Sequence, residues 1–96
     1  MTENEHLLVI LMEECNEVAQ RVSKALRFGL NEIQPGQALT NAERISLELT
    51  DLYAIREILL VRGLIPEIDP AGITEKKARV EKFMDYARSL GTISSK

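Results

Sequence analysis

The chain is short of the residues that build the commonest covalent and metal-bound frameworks. Its single cysteine, Cys15, excludes an intrachain disulfide. Its single histidine, His6, leaves a zinc site with too few nitrogen and sulfur ligands. A ferritin-like di-iron site would want two E-x-x-H pairs, and His6, two turns from Glu14, cannot supply both. The longest apolar run near the start, residues 7–12, follows Glu3 and Glu5 and is too short and too acidic for a signal peptide or a membrane span. The net charge of −3 implies no generic attraction to a nucleic acid polymer or a membrane. Aromatics make up only 4% of the chain, and two of them, Phe28 and Tyr53, fall at core spacing and are expected in the core. These absences point to a soluble, cytoplasmic protein.

What is present is helical. Hydrophobic residues at 45% and charged residues at 28% describe a globular chain, and 96 residues make one domain, 1–96. Leu8, Leu11, Cys15, Val18, Val22 and Ala25/Leu26 recur at 3–4 spacing from about residue 4 to about residue 28, with Cys15 a small core residue of that stripe. Lys24, Arg27 and then Gly29 mark the end of this first helix. A polar loop follows over residues 31–39, with Pro35-Gly36 as a type II turn. Thr40 and Glu43 form a T-x-x-E capping box that opens a second helix running to about Arg62 and stopping at Gly63. A third helix begins at Asp69-Pro70 or at Thr74, carries Ile73, Val80, Phe83/Met84, Ala87 and Leu90 on one stripe, and ends at Gly91; the tail over 92–96 is expected to fray. The fold class is all-α, an antiparallel bundle of about three main helices.

Two acidic pairs stand out against this frame. Glu14 with Glu17, and Glu48 with Asp51, are each spaced i, i+3, so each sets two carboxylates on one side of a helix turn. Like charges at that spacing cost a helix roughly 0.2–0.5 kcal/mol, and both pairs lie mid-helix, away from the dipole end that favours acids. On a helical wheel Glu14 borders the apolar stripe and shares a polar arc with Glu17, Arg21 and Lys24, whereas Glu13 points away. The second helix is apolar on both flanks of its pair. Ile45, Leu49, Leu52, Tyr53 and Leu59 form one stripe, and Leu47, Ala54, Ile58 and Val61 form another. Three helices alone can hardly cover both, which predicts a homodimer or homotetramer with these helices at the interface. Buried carboxylates must take up protons, pair with arginines or bind cations. An all-oxygen cluster of this kind suits Mg²⁺, or Mn²⁺ in its place.

The pattern Glu13-Glu14-Cys15-Asn16-Glu17 followed by Glu48-Leu49-Thr50-Asp51 resembles the E-E-x-x-E and E-x-x-D hallmark of the MazG-like, all-α nucleoside triphosphate pyrophosphohydrolases, which also include the dimeric dUTPases. The likeness covers the first two helices, about two thirds of the chain. The spacer between Glu17 and Glu48, residues 18 through 47, is thirty residues and somewhat long for that family. The resemblance implies cleavage of a nucleoside triphosphate at its α–β phosphoanhydride, giving a monophosphate and pyrophosphate. It implies that Glu14, Glu17, Glu48 and Asp51 hold Mg²⁺, and that Glu14 or Glu17 accepts the proton of the attacking water. A triphosphate also needs cations on its outer side; Lys24 and Arg27 rank first and Arg44 next. Residues Gln34, Gln37 and Asn41 of the loop lie where they could close over a base. The competing reading is a non-catalytic helical dimerisation module in which Arg21 and Arg44 neutralise the acids, or a degenerate protein that binds nucleotide without cutting it.

Overall fold

The computed structural model describes residues 1–94, and the described residues form three α-helices and no strand beyond one isolated bridge between Ile33 and Thr40. The helices are α1, Glu3–Phe28, α2, Asn41–Val61, and α3, Pro70–Ser89. No helix is long and apolar enough to cross a membrane. The chain divides into two compact units, Met1–Pro66 and one that begins at Glu67.

Local chemistry sets each helix end. Thr2 caps α1 in a capping box with Glu5, each backbone N–H donating to the other's side-chain oxygen at 3.1 Å. Thr40 and Glu43 make the same reciprocal pair at the start of α2, as the T-x-x-E pattern predicts. Helix α2 ends in a Schellman motif: the N–H of Leu64 donates to Leu59 and that of Gly63 to Leu60, with Gly63 at φ 71°. Helix α3 starts at the first of its two candidate caps, Asp69, whose carboxylate accepts from the N–H of Ala71 at 3.0 Å, with Pro70 in the first turn. Its last carbonyls are met by the N–H groups of Gly91 and Thr92, so Thr92 is tied down rather than frayed; Ser95 and Lys96 of the expected loose tail lie outside the described residues.

The first unit is a helical hairpin. Arg62, just past the end of α2, forms an ion pair at 3.2 Å with Glu3 at the start of α1, so the two helices run antiparallel. The loop between them is held to the first turn of α2. The N–H of Asn41 donates to the carbonyl of Glu32 and that of Ala42 to Leu30, while the Asn41 side chain donates to the Gly29 carbonyl at 2.8 Å and to the Glu32 carboxylate at 3.0 Å. Asn41 is only 2% exposed, so these bonds satisfy a backbone N–H and a side-chain amide that burial would otherwise leave unpaired. It is a structural fastener, not a residue free to close over a base. The expected turn is present: Gln37 N–H donates to the Gln34 carbonyl across Pro35-Gly36, and Gly36 has φ 83°.

The faces of the helices differ from the periodic reading. Along α1 a seam runs through Leu7, Leu11, Glu14, Val18, Arg21 and Ala25, flanked by half-buried Val9, Ile10 and Lys24. Along α2 it runs through Asn41, Ile45, Glu48, Leu52, Ile55 and Leu59, flanked by half-buried Arg44, Arg56 and Leu60. Both sets alternate steps of four and three, the spacing of a helix-pair seam. Ala25, Ile55 and Leu59 are the buried apolar residues of the described chain, and Leu59 has no exposure at all. Leu8, Cys15, Val22 and Leu26, assigned to the core by spacing, are exposed, as are Leu49 and Tyr53. The reason is that each helix has apolar residues on more than one side, and period alone does not choose between neighbouring stripes. Phe28 and Tyr53 are likewise outside the core. The guanidinium of Arg27 lies 4.8 Å from the Phe28 ring centroid, and that of Arg56 lies 4.9 Å from Tyr53.

Described by itself, α3 buries none of its side chains fully; Met84 and Ala87 are its half-buried positions.

Candidate metal centre

Three of the four acids in the two helical pairs converge across the hairpin. Glu14 and Glu48 occupy seam positions, half-buried between α1 and α2, and Glu17 stands at the exposed edge beside them. One carboxylate oxygen from each of Glu14, Glu17 and Glu48 lies within 4.8 Å of the other two. Asp51 is exposed and falls outside this trio, although its charge is felt by both Glu14 and Glu48. Glu13 is exposed, as its place on the wheel predicts.

The electrostatics of the trio are unfavourable without a counter-charge. Loss of water around Glu14 raises its pKa above the ordinary glutamate value, and the charges of Glu17, Asp51 and Glu13 add to the effect. Glu48 is raised for the same first reason, then by a carboxyl–carboxyl hydrogen bond with Glu17 and by the charges of Glu17, Asp51 and Glu14. One oxygen of Glu14 and one of Glu48 are buried with no hydrogen-bond partner. A buried acceptor left unmet costs about 1–3 kcal/mol, more when it is charged. The donor set is therefore three converging carboxylates with open acceptor capacity, which is what a small, hard divalent cation takes.

The cations are distributed unevenly. Lys24 is half-buried on α1. Arg27 is exposed and turned onto Phe28. Arg44 is half-buried and donates to the Gln34 side chain at 2.9 Å. Among the described residues neither Arg21 nor Arg44 forms an ion pair with any of the four carboxylates. The contact that orients Arg44 was not legible beforehand, because a glutamine in a turn carries no signal of which side chain it meets.

Compared with known proteins, the chain matches no family model, no curated protein and no solved structure.

Proposed function

We propose that this protein is a Mg²⁺-dependent pyrophosphohydrolase of nucleoside or deoxynucleoside triphosphates, of the MazG-like kind. The observation that carries the reading is the convergence of Glu14, Glu17 and Glu48 across the hairpin with two buried, unpartnered oxygens and no arginine paired to them. In a module that merely tolerates acids at an interface, Arg21 and Arg44 would be spent on neutralising them; here both remain outside such pairs.

Glu14, Glu17 and Glu48 would hold the cation; Asp51 lies outside the trio, its charge reaching Glu14 and Glu48, and would join as a fourth ligand. Bound there, Mg²⁺, or Mn²⁺ in its place, supplies charge neutralisation at the phosphates and makes a nearby water easier to deprotonate. The residues do the rest. Glu14 or Glu17 accepts the proton of the attacking water as its oxygen forms the new bond to the α-phosphorus. The bond from that phosphorus to the bridging oxygen breaks, and its electron pair leaves with pyrophosphate. Lys24 and Arg44, both half-buried and on the loop side of the cluster, would serve the outgoing phosphates.

The same reading includes self-association. Leu26 at 83% and Val61 at 89% exposure, with Leu8, Leu47, Leu49, Tyr53 and Ile58 also exposed, leave apolar stripes on both helices of the hairpin. A second copy of the chain is the cover that would complete the bundle.

Product analysis is the test. Purified protein with Mg²⁺ and a panel of NTPs and dNTPs is expected to release monophosphate and pyrophosphate in equal amounts, and EDTA is expected to stop it. Orthophosphate alone would mean a different bond and a different enzyme. No turnover of any nucleotide would leave the dimerisation module as the reading.

A further inference from the structure

We infer that Arg21, which the composition of the helix ends does not single out, is half of a phosphate clamp whose other half is Arg44; this rests on the reading above. The register of the hairpin brings the two together. Glu17 and Glu48 are level across the seam, and Glu3 is level with Arg62. Arg21 is four residues after Glu17, and Arg44 is four residues before Glu48. In an antiparallel pair those offsets match, so both arginines sit one turn from the carboxylates, about 6 Å along the axis, on the loop side.

Arg21 occupies a seam position and is half-buried, yet it has no hydrogen bond or ion pair among the described residues. It is also four residues from Glu17, where an ordinary helix-surface ion pair would form. Arg44 is held in place by Gln34 through one of its nitrogens. A guanidinium carries five N–H donors, so most of its capacity stays open. The seam therefore presents an acidic layer with unmet acceptors and, one turn on, a cationic layer with unmet donors. A cation-bound polyphosphate is complementary to both at once. Its metal would be held by Glu14, Glu17 and Glu48, and its phosphate oxygens would meet two planar forks that grip phosphate bidentately. Arg27 is exposed and stacked on Phe28, outside the seam that holds Arg21.

The experiment uses the full chain with Mn²⁺ and inorganic pyrophosphate as the probe, read by calorimetry, with Michaelis kinetics alongside. Arg21→Gln is expected to weaken pyrophosphate binding about tenfold or more and to raise KM more than it lowers kcat. The Mn²⁺ affinity of the nucleotide-free variant should stay near the wild-type value. Lys82→Gln, which removes the same charge from α3, should change neither. Unaltered pyrophosphate affinity in a folded, Mn²⁺-binding Arg21→Gln protein would overturn the clamp. So would a loss of metal-free melting temperature as the only effect, since that would mean Arg21 merely offsets the carboxylates. If the glutamine variant fails to fold, Arg21→Lys decides: it keeps the charge without the fork, and wild-type pyrophosphate affinity in it sinks the proposal. Wild-type protein that binds no Mn²⁺ would instead remove the metal centre itself, and the clamp with it.

Discussion

At the residue scale, two seam carboxylates sit where desolvation disfavours their charged form. Glu14 and Glu48 both have pKa values raised in the folded state, chiefly by desolvation. A carboxylate raised in this way binds more protons folded than unfolded, so its contribution to stability is full below the unfolded value of about 4.3 and is lost as pH rises through the folded value. Metal-free protein should therefore melt higher near pH 5 than at pH 8, as far as these two groups decide it; thermal melts in EDTA across that range check the slope. Glu5 works in the opposite sense, because the Thr2 backbone bond lowers its pKa, but it belongs to a helix cap and not to the cluster. Glu17→Ala and Asp51→Ala should each abolish pyrophosphate release while leaving the metal-free melting temperature unchanged or higher, since like-charge repulsion is relieved. A Mg²⁺-independent loss of several kcal/mol in either variant, seen in melts with and without EDTA, would mean instead that the acids are paired with buried cations.

At the scale of the elements, the helix boundaries are chemical and the helix faces are not. The T-x-x-E box at Thr40 was readable because a side chain and a backbone three residues apart answer each other locally. Thr40→Ala should cost about 1 kcal/mol, measurable as a shift in the urea midpoint with an unchanged slope. Gly63→Ala should cost about 1–2 kcal/mol, because the left-handed backbone there is strained for any side chain although no atom stands near the added Cβ. The third helix offered two starts, and Asp69 prevails because Pro70 lacks an N–H and fits the first turn, where none is needed. By contrast, the apolar stripe of α1 was legible only in part: Leu11, Val18 and Ala25 lie in the seam, but Glu14 and Arg21 share it with them. Apolar spacing favoured Leu8, Cys15 and Val22, which are exposed, and put the glutamate and the arginine at a border they in fact cross.

At the scale of the whole molecule, the question is how so small a core is completed. Three apolar residues are buried among those described, against a long series of exposed leucines, isoleucines and valines. Patches of that extent on a small protein are interaction surfaces more often than bare solvent faces. The melting temperature should therefore rise with protein concentration, and sedimentation should give a mass above the 10.8 kDa of one chain. Leu26→Glu should lower the assembled fraction without disturbing Ala25 beside it, since Leu26 is exposed in the single chain. Mg²⁺ at about a hundred times its Kd should add about 2.7 kcal/mol of stability to the wild type, and none to a Glu48→Gln variant that has lost the site.

The sequence by itself determined the all-helical class, the three helices, the T-x-x-E cap of the second and the turn at Pro35-Gly36. It did so because hydrogen bonds between residues three or four apart need no partner from elsewhere in the chain. It also marked out the two i, i+3 acidic pairs, three of whose members, Glu14, Glu17 and Glu48, converge in the structure. Only the tertiary structure decided which faces meet, that Glu14 and Glu48 lie in the seam, and that Arg27 turns onto Phe28 while Arg21 enters the seam. Those outcomes depend on the antiparallel register, and register is a relation between helices that no single helix encodes. Asn41 shows the division plainly: as the first residue of a helix it is legible, but its bonds to Gly29 and Glu32 exist only because the loop returns to meet it.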